Sequence, residues 1–374
     1  MKKQVKAWLP DSGWSLRPLF GGMIAGLLAL MSVLPAQAGL IAENAAVPAA
    51  MNATGGTEND PSIYRFSGGY VKDFVTTLIS IGNASGANWV RLEITGGAQV
   101  WATNTSSAAY IGSASSSFTN LNNSAWVMGE GSSLTLGGTR LGGKSALNTL
   151  AAVDGGTVTL NGELRAGYEN TGYYSTNNMV LVDGGTLFVN SRLRLGYGVT
   201  HDYCSLVVRN GGKVIASATG RMGARGGNYC DYRVEGEGSE VEIAYAASGA
   251  ISLGELSTAH HNTLTVIDGG VVKLTNSGGG LSIAVDPNYG GSGVRFAAGV
   301  FAVAGNRPTH LTYDKAWLWD GDSWEQAPST WTGVYYADET AASAAGRSGF
   351  GGYTVFSGGK SMAGALKRTL LILQ

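Results

Sequence analysis

The residues whose types could do chemistry are few and scattered. Cys204 and Cys230 are the two cysteines. Four histidines, His201, His260, His261 and His310, are the candidate nitrogen ligands or proton carriers. Glu235, Glu237, Glu240 and Glu242 lie close to Arg221, Arg225 and Arg233. Paired carboxylates beside a basic residue are what a polysaccharide lyase or glycosidase uses for general acid and base work. Trp317, Trp319, Trp324 and Trp331 cluster near the C-terminus, and exposed tryptophans form platforms for sugar rings. Each group also has a plainer reading. The glutamates and arginines read as a solvated charge cluster. His260 and His261 are neighbours, and neighbours on a strand point to opposite faces, so they make a poor zinc chelate. No serine sits in a nucleophile elbow, and no glycine-rich loop ends in Lys-Ser or Lys-Thr before a helix. The sequence therefore predicts no enzyme, no cofactor and no metal.

The elements that position these residues are repeats. One landmark is an apolar strand, a Gly pair and a second apolar strand, as in LAAVDGGTVTL, MVLVDGGTLFV, SLVVRNGGKVI and LTVIDGGVVKL. Its last glycine falls at 69, 97, 131, 156, 185, 212, 238 and 270, at intervals of 25–34 residues. A second landmark is a short apolar strand closed by Gly at 82, 112, 142, 167, 196, 223 and 254. Each repeat thus holds three strand-like pieces with period-two alternation. A propeller blade needs four strands, and a leucine-rich repeat carries a different consensus. The pattern predicts an all-β, single-stranded, right-handed parallel β-helix of about eight coils, whose inward apolar residues stack from coil to coil.

The pattern N-x-L-x-V-x-x-G-G-x-V followed by L-x-L-G resembles the β-helix-forming repeats of bacterial autotransporter passenger domains. It is similar also to the repeats of PEP-CTERM-type exported surface proteins. The resemblance covers about residues 64–285. It implies a surface or extracellular protein with a structural or adhesive role. The expected partners are cell-surface glycans or other surface proteins. The C-terminus departs from both families: about 75 residues follow residue 300 without regular amphipathic strands for a barrel, and ALKRTLLILQ lacks a Pro-Glu-Pro motif.

Stacked coils turn sequence positions into columns. Counting eight residues back from the last glycine of the pair gives Asn148, Asn177, Cys204, Cys230 and Asn262. Stacked Asn side chains can hydrogen-bond along such a column, a structural role. Cys204 and Cys230 fall in adjacent coils, where a strand spacing of about 4.8 Å suits a disulfide. Two residues before that glycine stand Asp154, Asp183, Asn210, Gly236 and Asp268, which read as turn residues rather than calcium ligands.

The flanks complete the organisation. Lys2, Lys3, Lys6 and Arg17 precede an apolar run from Leu19 to Leu34 and a small-residue site, Pro35-Ala36-Gln37-Ala38. That is the grammar of a secretory signal peptide over residues 1–38, with no membrane span once it is removed. Residues 39–62 are expected as a flexible leader, 63–300 as the β-helix and 301–374 as an aromatic-rich C-terminal cap. WLWDGDSWEQ reads as a hairpin, and a short helix is expected from Asp338 to Ala345. Export places the chain outside the cell or on its surface. Composition agrees: 58 of 374 residues are Gly, charged residues are 14%, and the net charge is −1. Collagen is excluded by the lack of a three-residue period, and charge-driven disorder by an apolar fraction of 44%. Nothing supplies the overall positive field that nucleic acid requires.

Overall fold

The structure is a computed structural model. It describes residues 39–374 except 55, 75–77, 103–107, 114–119, 168–174, 199–201, 247–249, 256–258, 277–280, 284–291, 298–299, 305–315, 320–323, 327–352 and 357–374. For the strands at 281–283, 300–304, 316–319, 324–326 and 353–356, and for residues 296–297, only the backbone is described. The chain divides between Ala38 and Gly39, and residues 1–38 lie outside the described residues.

Three sheets run along a parallel β-solenoid, with twelve, ten and nine strands. One coil illustrates the plan. Thr149–Val153 belongs to the first sheet, Thr157–Leu160 to the second and Leu164–Ala166 to the third. Eight such three-strand coils follow one another from Ser62 to Ile283. Within the stack each strand pairs in parallel with its counterparts in the adjoining coils. Leu150 lies beside Val180, then Leu206, Tyr232 and Leu264. In the second sheet Leu136, Leu160, Val189, Ala216, Ile243 and Leu274 form the matching column. These residues are almost wholly buried. Period-two alternation therefore does what it must: alternate side chains fill the interior, and a slip of one residue would put them all outside.

Both ends differ from the repeat. Residues 39–62 are not a free leader. Leu40–Glu43 pairs with Ser62–Phe66, and Ala50–Met51 pairs with Ser80–Ile81. Val47 and Met51 are buried by this extra layer. The physical reason lies in the first full coil, where Phe66 packs on Tyr70 and Phe74 at 5.8 and 6.2 Å. An open aromatic end would leave apolar area in water, and the N-terminal strands cover it. At the other end the parallel rule stops. Trp324–Gln326 runs antiparallel to Ala316–Trp319, and Tyr353–Phe356 antiparallel to Val300–Ala304. The expected hairpin in WLWDGDSWEQ is present, with Trp319 in register with Trp324. The helix expected at 338–345 lies outside the described residues. Among the described residues no helix is long and apolar enough to cross a membrane.

Candidate functional site

The corner between the third sheet and the next coil's first sheet holds the groups singled out by sequence. Its inner position is the Asn column. Asn123 Oδ1 accepts from Val90 N–H at 3.0 Å, Asn148 Oδ1 from Asn123 N–H at 3.1 Å, and Asn178 Oδ1 from Asn148 N–H at 3.1 Å. The ladder resumes at Asn262, whose Oδ1 accepts from Cys230 N–H at 2.9 Å. All four asparagines are buried. The member expected at Asn177 is corrected to Asn178, because Asn177 is exposed. The cause is a shorter turn. Four residues separate Ala152 from Thr157, but three separate the equivalent Val182 and Thr186. Counting back from the glycine therefore lands one residue early. Asp183 moves too: it pairs with Arg209 across coils at 2.6 Å, while Gly184 takes the turn. Asp154, Asn210 and Asp268 occupy left-handed turn positions.

The same column explains the glycines that close third strands at 82, 112 and 142. A Cβ added at Gly112 would overlap Ser145 and approach Asn148, and one at Gly142 would overlap the Asn178 amide. At these corners an amide lies over a backbone without a side chain. The landmark glycine at 223 differs: it lies inside the strand Arg221–Ala224, against Ser252.

Cys204 and Cys230 occupy the Asn position in adjacent coils and are fully buried. The expected disulfide is not formed; both are free thiols. Cys204 Sγ donates to Ser175 O at 3.8 Å and Cys230 Sγ to Asn228 O at 3.7 Å. The neighbouring Cys204 thiol and burial push the Cys230 thiol up. A thiol is a small apolar group with a weak donor, so the pair fills the column where Asn would continue the ladder.

The outer position of this corner was not found from sequence. Trp89, Asn122, Leu147, Asn177, Tyr203, Tyr229 and His261 follow one another there, each with φ between 55 and 61°. Each of Tyr203 and Tyr229 donates its N–H to the preceding residue of the next coil's corner, Asn228 and His260. Bulky side chains are costly in this left-handed region, by roughly 1–2 kcal/mol. Tyr203 and Tyr229 gain little burial in return, being 54% and 44% exposed. Their rings stack at 5.0 Å, and Tyr229 stacks on His261 at 4.8 Å. The left-handed turn at His261 breaks strand alternation, so His260 and His261 do not point apart. Their Nδ1 atoms lie 2.7 Å apart, close enough for one ring to donate to the other. Burial, His260 and Arg295 lower the His261 pKa. A shallow depression of about 240 Å³ opens beside them, lined by Tyr229, Asp231, His261, Thr263 and Arg295. Asp231 Oδ1 accepts from the hydroxyls of Thr263 and Thr265 at 2.6 and 2.8 Å. The signal that could have found this edge is the residue just before each column member, an aromatic in two successive coils.

The remaining candidates do not converge. Glu235 lies on the first sheet, Glu240 and Glu242 on the second and Arg221 on the third. Glu235 pairs with Arg233, and Glu240 with Lys273 at 2.6 Å. Among the described residues no group of three or more His, Cys, Asp or Glu could hold a metal ion. Trp317 and Trp319 lie on one strand of the C-terminal hairpin and Trp324 on the other. Trp331 lies outside the described residues.

No protein-family model and no curated protein matches the chain. Among solved structures the chain is similar to the TibC-catalyzed hyper-glycosylated TibA fragment. The identity is 18%, over 68% of this chain and 92% of that one, with a TM-score of 0.15.

Proposed function

We propose that this chain is an exported β-helix protein with a structural or adhesive role at the cell surface or outside the cell, and that it is not an enzyme. The observation that carries the adhesive part is the exposed stack of Tyr203, Tyr229 and His261. Strained turn positions holding exposed aromatic rings do not serve the core, and strain of this kind gathers at sites of contact. Neighbouring coils place Asn122 and Asn177 at the same position, which suits a left-handed turn at lower cost. The in-register coils behind it make a rigid support, and rigid elements hold a contact surface better than loops. The basic lead, apolar run and small-residue site of residues 1–38 support export. Purified chain and the Tyr203→Asn/Tyr229→Asn variant, coated on beads, test the reading against cell monolayers. Retention of the native chain and loss in the variant, with unchanged folding, is expected. Equal retention of both would remove this edge from the function.

A further inference from the structure

The third sheet carries arginines in columns. Arg140, Arg165 and Arg194 stand in register in three successive coils, and Arg192 pairs with Arg221 in two. Arg225 follows Arg221–Ala224 directly. Successive strands lie about 4.8 Å apart, so like charges face each other at close range. Six of the chain's 25 basic residues therefore share one face of a molecule with net charge −1. Two carboxylates temper them. Glu163 accepts from Arg165 at 2.6 Å and Arg194 at 2.8 Å, and Glu255 from Arg194 at 2.9 Å. Among the described residues, Arg192, Arg221 and Arg225 pair with no carboxylate. Arg225 and Arg221 instead lie over the rings of Tyr197 and Tyr245, at 4.2 and 5.8 Å. Arg194 is 8% exposed, and its Nε is buried without an acceptor. Arg194 is already held by carboxylates, and the guanidinium groups open to a further anion are those of Arg192, Arg221 and Arg225.

We propose that this face binds an acidic polysaccharide, a linear glycan bearing carboxylate or sulfate groups, laid along the arginine columns. The inference rests on the surface reading only in placing such polymers within reach. A repeating anion along the solenoid axis would meet a guanidinium in successive coils, and guanidinium forks bind carboxylate and sulfate oxygens bidentately. Tyr197 and Tyr245 lie under the Arg225 and Arg221 guanidinium groups and help to fix their positions. Nucleic acid fits less well. The ring faces that bases would stack on are occupied by arginine, and the near-neutral chain supplies no long-range field.

The test is binding of the purified full chain to polygalacturonate and, separately, to dextran sulfate, with neutral dextran and a single-stranded polynucleotide as controls. One or both acidic glycans should bind, and the arm that binds identifies the anion. Binding should weaken as salt shortens the Debye length from about 10 Å at 0.1 M. Arg192→Gln/Arg221→Gln/Arg225→Gln should lower affinity by about tenfold or more, from lost charge-assisted bonds. Arg233→Gln on the first sheet removes one charge elsewhere, the match for Arg225→Gln, and should leave binding unchanged. Arg225→Gln alone guards against misfolding of the triple variant and should give a smaller loss. No binding to either acidic glycan, an equal loss in Arg233→Gln, or tighter binding of the polynucleotide would each overturn the proposal. These readings use purified chain, so they stand apart from any failure of export.

Discussion

Replacing Asn178 by alanine separates the structural register from the one counted out of the sequence. Asn178 Oδ1 accepts the buried N–H of Asn148 at 3.1 Å and Asn148 Nδ2 at 2.9 Å. Its own Nδ2 donates to Ser175 Oγ at 3.0 Å and Ser145 O at 3.4 Å. Asn148 Nδ2 keeps other partners, Ser145 Oγ and Ala146 O, so it is not stranded. The N–H of Asn148 loses its acceptor, which costs about 1–3 kcal/mol, and the other bonds contribute a few tenths to one each. The sum is about 3 kcal/mol, which makes local opening roughly a hundredfold more frequent. Asn177→Gly is the partner experiment. Asn177 is exposed, and Gly accepts its φ of 55°, so the change should stay within about 0.5 kcal/mol. Hydrogen exchange at the Asn148 amide reads the local effect, and urea unfolding reads the global one. If Asn177→Gly proves as damaging as Asn178→Ala, or if the Asn148 amide keeps its protection, the buried amide ladder is wrong.

Other expectations follow from the same corner. Gly142→Ala places a Cβ against the Asn178 amide at φ 82° and should destabilise by at least about 1–2 kcal/mol, measured by urea midpoint. His261 has a lowered pKa when folded, so below the unfolded value of about 6.5 the unfolded chain binds more protons. Stability should fall as pH drops from 7.5 to 5.5, and His261→Asn should flatten that slope in thermal melts; an unchanged slope would contradict the assignment. Cys204 and Cys230 should resist maleimide at pH 8 in the folded chain, and both should react after unfolding without reductant. Intact mass showing a bonded pair would contradict the free thiols.

Much of the fold could be read directly because the repeat writes it twice. Alternation marks the strands, and the two glycine landmarks mark the coil corners except at Gly223, which lies inside the strand Arg221–Ala224. The errors were local. A turn one residue short at Asp183–Gly185 displaced the Asn column, and spacing from a glycine cannot reveal which side of it lost a residue. The N-terminal layer looked loose because its strands are short and rich in Ala; only the aromatic end at Phe66 demands a cover. His260 and His261 do not diverge as strand alternation predicts, because a left-handed turn sits at a non-glycine residue, His261. The arginine columns were invisible for a related reason. Arg140, Arg165 and Arg194 are separated by 25 and 29 residues, so only the register of the third sheet makes them one surface.

The central claim, export of a stacked solenoid, has one direct test. Lys213 is exposed on the second sheet. A membrane-impermeant amine reagent applied to intact producing cells and their medium should modify it, with the label found by peptide mass mapping. Labelling of Lys213 only after the cells are lysed would contradict the account.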